Sequence, residues 1–329
     1  MLYLLIVSIA WGFSFGLFSG YLTNLDPTLV AFLRLFLAVP FFAPFFRPKG
    51  LTVRQLIFLA CIGGVQFGAM YVLLNLSFQY LQSWQVALFT IFTPLYLGII
   101  DGIWEERFHP FGLLMALIAI IGAAVIHYDQ KVTGSVMRGV MHMQLSNFCF
   151  ALGQVAYRHI RREISRDKSD FSLQCVLFIG ASIVTALSTT YQGTWGDLLK
   201  ISWSQWGTVI YMGVVASGLC FYMWNSGATM VSIGTLSVFN NMKIPIAMFI
   251  SLTVFGESTN YYRLFIGSLI LGSAMLLSEL NERYQTNRKF SDRVDAAVIG
   301  FLDNIRSTYL EKVERIKERA FNEQEQNRR

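Results

Sequence analysis

Ten apolar stretches of helical length follow one another along the chain, and no other feature limits its fold so sharply. They span roughly 2–22, 29–46, 55–74, 83–101, 108–127, 140–158, 171–191, 205–225, 230–254 and 261–278. Each approaches the ~20 residues that an α-helix needs to cross the hydrocarbon of a bilayer. A single such stretch would fit the core of a large soluble domain; ten in series would not. A transmembrane β-barrel is excluded on other grounds, because barrel strands alternate apolar and polar positions and these runs do not. Composition agrees: 14% of the 329 residues are charged, against about 25% in soluble domains. Residues 279–329 hold 11 of the 26 basic and 10 of the 20 acidic side chains, so the first 278 residues are poorer still. The expected fold is an all-α integral membrane protein.

The formal charge of +6 then reports orientation rather than nucleic-acid binding, since basic residues gather in cytoplasmic loops. With the N-terminus inside, the inner connections carry Arg47, Lys49, Arg54, Arg107, Arg158, Arg161, Arg162, Arg166 and Lys168. The outer ones carry Lys131, Arg138, Lys200 and Arg263. This asymmetry places both termini in the cytoplasm. The first stretch lacks a basic n-region and a small-residue cleavage site and reads as a span, not a signal peptide. Cys61, Cys149, Cys175 and Cys220 fall in apolar stretches without metal or redox spacing, so the expectation is buried, inert thiols.

The chain also repeats itself. The segment beginning GVQFGAMYVLLN at Gly64 matches the one beginning GVVASGLCFYMWN at Gly213. Asn75 then faces Asn225, Pro94 faces Pro245, Glu106 faces Glu257 and Gly122 faces Gly272. Five spans per copy is an odd number, so the second copy runs upside down relative to the first. Inverted repeats are a common plan of secondary transporters, with the solute near the midplane between halves. The expected organisation is a five-helix repeat over 1–128, its inverted copy over 139–278, and a charged cytoplasmic tail over 279–329.

The motifs AWGFSFG (Ala10–Gly16), FLRLFLA (Phe32–Ala38), and the proline followed twelve residues later by glutamate at Pro94–Glu106 and Pro245–Glu257 resemble those of the drug/metabolite transporter superfamily. More narrowly, they resemble its EamA branch, over about residues 1–280. The resemblance implies a ten-helix transporter of small organic solutes in a bacterial inner membrane, with the fourth and ninth helices central and efflux the favoured direction. Phe78, Gln79 and Tyr80 stand where alanine is common in that family, which implies a pocket of different shape.

Polar groups at membrane depth need a partner or a cavity. Lys243, in Asn240-Asn241-Met242-Lys243-Ile244-Pro245, is the sharpest case and the best candidate to meet a carboxylate; an internal ion pair or helix cap is its alternative. The matching fourth stretch offers Trp84, Gln85, Thr90, Thr93 and Pro94, polar but uncharged. Trp11, Phe15, Asn75, Tyr157, Tyr222 and Asn225 are candidates for the remaining wall. Arg34, six residues into its span, is expected to snorkel outward and to serve structure or gating, as are Pro94, Pro245, Glu106 and Glu257. No Asp or Glu lies deep in a stretch, and His127 and His159 sit near span ends, so proton coupling has no firm basis. Gly12-x₃-Gly16-x₃-Gly20, Gly64-x₃-Gly68 and Gly98-x₃-Gly102 let helices approach closely.

From Val294 apolar residues recur at spacings of three and four to Ala320, an amphipathic helix over about 294–321 suited to a partner or to self-association. No Walker lysine motif, H-E-x-x-H or C-x-x-C occurs; no cofactor, metal or nucleic acid is expected. The resulting expectation is a secondary transporter, not an enzyme, exporting a small carboxylate-bearing metabolite such as an amino acid by alternating access. Uptake of the same solutes, a membrane enzyme built on the Arg158–Lys168 loop with His159, and a signalling or partner-binding protein are the alternatives.

Overall fold

The computed structural model describes residues 2–104, 134–165, 168–231 and 233–256, with isolated helical positions between 114 and 122 and between 262 and 284. The chain divides into units 1–278 and 279–329. The tail helix expected over 294–321, and with it self-association, lies outside the described residues, as do Glu106, Glu257 and His127.

Eight helices run through the described part: α1 Leu2–Tyr21, α2 Pro27–Phe42, α3 Val53–Ser77, α4 Ser83–Trp104, α5 Gly134–Glu163, α6 Asp170–Gln192, α7 Trp203–Ala228 and α8 Ile233–Thr253. Six of them are long and apolar enough to cross a membrane: α1, α3, α4, α6, α7 and α2 with its 3₁₀ extension to Phe45. The chain is therefore a multi-pass, all-α membrane protein. The sixth and ninth stretches form α5 and α8, which are not among those six. Each carries polar side chains turned inward, Ser146, Asn147 and Gln154 on α5 and Asn240, Asn241 and Lys243 on α8. The fifth and tenth stretches fall mostly outside the described residues.

Local chemistry sets the helix ends. Asp26 caps α2, accepting from the backbone N–H groups of Thr28 and Leu29 at 2.9 and 3.0 Å, with Pro27 in the first turn. Thr52 with Gln55 and Ser202 with Gln205 make capping boxes on α3 and α7. Gly193, at φ 70°, closes α6 in the left-handed conformation. Inside the bundle, α1 packs on α7 and α8, α2 on α6 and α7, α3 on α5 and α6, and α4 on α5 and α8. Two helices change register: α3 is π-helical over Gly64–Ala69 and α7 over Tyr211–Leu219. Short π segments inside α-helices often mark functional positions.

Small residues sit where helices touch. A Cβ on Gly63 would run into the carbonyl of Leu177, and one on Gly180 into that of Ala60, so α3 and α6 meet through reciprocal glycines. The α1 stripe faces Ile246 at Gly12 and the Phe255 ring at Gly16 and Gly20. Gly98 differs, with nothing within 4 Å of its would-be Cβ. All four cysteines are free, and Cys61 is exposed on α3, which corrects the expectation of uniform burial: apolar neighbours in sequence do not decide which face of a span a residue occupies.

One end of the bundle is tied by charge. Asp170, at the start of α6, accepts from Tyr157 Oη at 2.7 Å, Arg161 Nε at 2.6 Å and Ser226 Oγ at 3.2 Å, joining α5, α6 and α7. Arg158 pairs with Asp101 of α4 at 3.7 Å, and the His159 ring stacks on Trp104. Arg158 and Arg161 of the basic group are thus engaged in holding helices together.

Overpacking a tight contact costs about 1–3 kcal/mol. Gly63→Ala and Gly180→Ala are expected to lower the melting temperature of the detergent-purified protein by several degrees. Gly207→Ala, with nothing within 4 Å of the added Cβ, is the control and should leave it unchanged; tryptophan fluorescence on heating reads both.

Candidate functional site

The polar groups that the bundle turns inward converge on a cavity walled by α1, α2, α3, α4, α5, α7 and α8. Its aromatic lining is Trp11, Phe15, Phe18, Phe78, Phe150 and Phe221, with Met70, Leu74 and Met212 beside them. Its polar atoms come from Ser14, Arg34, Tyr71, Thr90, Thr93, Ser146, Asn147 and Lys243. A largely apolar wall with a few fixed polar groups is the usual make-up of a small-molecule site.

Lys243 is 6% exposed. Its ammonium donates to Asn240 Oδ1 at 2.8 Å and lies 5.2 Å from the centroid of the Trp11 ring. Asn240, one turn back on α8, takes one of three ammonium protons; Asn241 stands behind it, its Oδ1 3.5 Å from Asn240 Nδ2. Two residues on, Pro245 lacks the N–H that would bond the Asn241 carbonyl, which loosens α8 at this level. Trp11 is fixed by its indole N–H, which donates to the Ala216 carbonyl in the π segment of α7 at 2.8 Å.

Arg34 corrects the sequence-based expectation. Rather than snorkelling outward, it is 3% exposed and lines the cavity. Nη2 donates to Tyr71 Oη at 2.8 Å, Nε and Nη2 reach Ser217 Oγ at 3.3 and 3.2 Å, and the guanidinium lies 3.9 Å from the centre of the Tyr71 ring. These partners hold the charge inward, and Gly213 in the same π segment lets α7 close on the Arg34 backbone. Among the described residues no carboxylate lines the cavity or pairs with Arg34 or Lys243.

On α4 a 3₁₀ turn at Thr90–Phe92 precedes Pro94, and both threonines flanking that turn face the cavity. Thr93 Oγ1 donates to Asn147 Oδ1 at 3.2 Å, while Asn147 Nδ2 donates to the Phe89 carbonyl at 2.8 Å. Pro94 is half-buried and Pro245 exposed; neither lines the cavity, and both act through the helix backbone.

The structure brings Lys243, Trp11 and Thr93 together at the cavity, with Asn240 and Asn241 behind the lysine. It places the other candidates elsewhere. Gln85 accepts from the Gln82 N–H at 2.8 Å in the capping box of α4. Asn75 donates to the Pro27 carbonyl at 3.0 Å, fastening the end of α3 to the start of α2. Asn225 accepts from Gln66 at 3.1 Å, Tyr157 belongs to the Asp170 cluster, and Tyr222 packs on Tyr3 and Phe171. Sequence reasoning missed Tyr71, Asn147, Ser146 and Ser217. Asn147 and Ser146 carried a signal, being polar in mid-span; Tyr71 carried none among so many aromatics. Gly12-Phe13-Ser14-Phe15-Gly16 spells the nucleophile pattern G-x-S-x-G, but it runs through the middle of α1, where the Ser14 hydroxyl donates to the Ala10 carbonyl at 2.7 Å. That geometry is a helix bond, not the exposed strand-to-helix elbow a serine hydrolase needs.

Comparison with known proteins agrees with this architecture. The EamA-like transporter family matches twice, over residues 1–128 and 137–279. The chain is 34% identical over 284 residues to a protein of Pseudomonas aeruginosa named "Probable biotin transporter", covering 86% of this chain and 99% of that one. It is 34% identical over 282 residues to the "Biotin transporter" of Salmonella typhimurium (85% and 91% covered) and 33% identical over 273 residues to that of Escherichia coli K12 (82% and 90% covered). A solved structure described as "Crystal structure of protein" shares the fold, with a TM-score of 0.64 at 16% identity over 85% of this chain and 96% of that one. The chain belongs to the EamA-like transporter family, and it is a membrane-embedded secondary transporter of a small organic solute, not an enzyme.

Proposed function

We propose that the solute is a small carboxylate-bearing acid, biotin or a close chemical relative, bound in the cavity with its carboxylate toward Lys243. The observation that carries this is the pairing of two buried cations, Lys243 and Arg34, with an otherwise uncharged, largely aromatic wall that holds no carboxylate among the described residues. Biotin joins an aliphatic carboxylate chain to a compact bicyclic ring, which suits such a wall, and the curated relatives carry biotin in their names. Lys243 supplies two protons that Asn240 does not use, Trp11 and Phe150 flank the chain, and Thr93 with Asn147 offers neutral hydrogen bonds. Asn240 and Asn241 orient the lysine.

The mechanism is alternating access between two inverted five-helix repeats. Three features support it. The helix pairs are mutually exchanged when each first-half helix is replaced by its second-half counterpart: α2 on α7 corresponds to α6 on α3, and α1 on α8 to α5 on α4. The π segments of α3 and α7 fall at the matched Gly64 and Gly213. The family match itself has two copies. Basic residues cluster at the Asp170 end, which supports its being cytoplasmic, with both termini on that side of a bacterial inner membrane. The Asp170 network ties α5, α6 and α7 together at that end, the cavity extends toward Phe18, Phe78 and Met212 at the other, and we take the tied end as the closed one. Export is the direction we assign.

Lys243→Ala is expected to abolish the biotin-induced thermal shift of the purified protein and to cut transport while leaving folded protein in the membrane. A lost charge-assisted hydrogen bond of about 1.5–3 kcal/mol corresponds to roughly 10- to 100-fold weaker binding. Lys243→Arg should retain part of it. Loss of folded protein instead would make the lysine structural. Release of preloaded labelled biotin from cells tests export; net accumulation would reverse the direction and leave the site standing.

Asp170→Asn removes the charge on which three donors converge. It is expected to speed hydrogen exchange in residues 155–172 and 222–229 and to shift the protein toward the state open at that end, with Lys243-dependent binding retained. Unchanged exchange in those segments would deny the network a closing role.

A further inference from the structure

Beneath the cavity three amides meet with no charged group among them. Gln66 in the π segment of α3, Gln154 on α5 and Asn225 on α7 are each 0% exposed. Gln66 Nε2 donates to Gln154 Oε1 at 3.2 Å and to Asn225 Oδ1 at 3.1 Å. Those two bonds leave Gln66 Oε1, Gln154 Nε2 and Asn225 Nδ2 without partners, and the indole N–H of Trp224, next in the chain, has none either. Exchanging the oxygen and nitrogen ends of all three amides, an assignment made from the bonding pattern, does not remove the deficit. It turns one spare acceptor and two spare donors into one spare donor and two spare acceptors. Buried polar groups are nearly always satisfied, so a layer with four unmade bonds is suited to an occupant offering both N–H and C=O.

The position of the layer is as telling as its chemistry. Met70, Phe150 and Phe221 line the cavity, and the three amides stand four residues further along the same helices, always toward the Asp170 end. Four helical residues rise about 6 Å. The floor between is aromatic: Phe221 stacks on Phe67 with ring centres 4.2 Å apart, and Phe150 lies 6.2 Å from Phe221. A Cβ on Gly153 would strike the Gln66 side chain, so the glycine is what lets this side chain lie against α5.

We propose that Gln66, Gln154 and Asn225 form the inner end of the binding site, taking a neutral cyclic urea or similar group with adjacent N–H and C=O once the Phe150 and Phe221 rings turn aside. The inference rests on the biotin reading above and deepens it: Lys243 takes the carboxylate, and the amides take the ureido ring at the opposite end of the molecule. A flipped triad presents one donor for the urea carbonyl and two acceptors for its two N–H groups. Absence of charge in the layer turns a carboxylate away, which fixes the orientation of the solute.

The test uses the full-length purified protein and two probes, biotin and the thiolane-pentanoic acid that shares its chain and sulfur ring but lacks the urea. Wild type should prefer biotin by ~10-fold or more, because unpaired site groups penalise the analogue lacking the complementary polar group. Gln154→Met, and independently Asn225→Leu and Gln66→Met, should bring the two affinities within about twofold by weakening biotin alone. Each variant counts only if it elutes and melts as a folded protein. A preference that survives in the folded variants overturns the inner site, as does a parallel fall for both probes, which marks a packing role. Failure of wild type to bind biotin overturns the substrate reading itself, a result the variants do not share.

Discussion

A cation inside a membrane-spanning bundle has no water to solvate it and no lipid to accept its protons, and the interior of this protein is organised around two of them. Among the described residues, Lys243 and Arg34 are held by neutral oxygen and aromatic faces rather than by carboxylates: Asn240 and Trp11 for the first, Tyr71 and Ser217 for the second. A carboxylate partner would have cancelled each charge and left a structural ion pair. Neutral partners make the cations tolerable without extinguishing their field, which on the proposed reading leaves charge available to an anionic solute.

The helices supply that arrangement through irregularity. A regular α-helix satisfies its own backbone and offers nothing but side chains. Here the backbone carbonyl of Ala216, in the π segment of α7, accepts from the Trp11 indole N–H. Just before Pro94, α4 is broken by a 3₁₀ turn, and Thr90 within it and Thr93 after it line the cavity. Pro245 loosens α8 just past the lysine. Part of the polar wall, Thr90, Thr93 and Lys243, thus sits at levels where regular hydrogen bonding is interrupted, and these are the positions at which helices bend or change register most cheaply.

Much of this was legible in the sequence, and the reason is that lipid imposes a simple rule. Apolar run length marks the spans, and a lysine flanked by two asparagines and a proline in mid-span is hard to reconcile with a lipid face, so Lys243, Trp11 and Thr93 could be singled out. Arg34 illustrates the limit. Its distance from the end of its span suggested snorkelling, and what turns it inward lies 37 and 183 residues away at Tyr71 and Ser217. Asn75 and Asn225 show another limit: matched positions in the two halves suggested one shared task, yet Asn75 fastens a helix end while Asn225 joins an amide cluster. Pattern shows that a polar group needs a partner; only the packing of distant segments shows which.

On the inverted-repeat reading, the duplication and the charges have separate tasks. Packing is repeated between the halves, as in the exchange of α2 on α7 with α3 on α6 and in the matched π segments. Repetition of that kind gives the two access states contacts of similar strength, and a transporter needs neither state to be favoured by more than the solute can offset. The site itself does not repeat. When Pro94 is set against Pro245, the position matching Lys243 is Phe92, and the pair Asn240-Asn241 is matched by Phe89 and Thr90. Each copy contributes one cation, Arg34 from the first and Lys243 from the second, but at unmatched positions, and on the proposed reading that gives a solute with two unlike ends two unlike walls. The symmetric frame lets the protein move, while its asymmetric filling gives the solute a head and a tail.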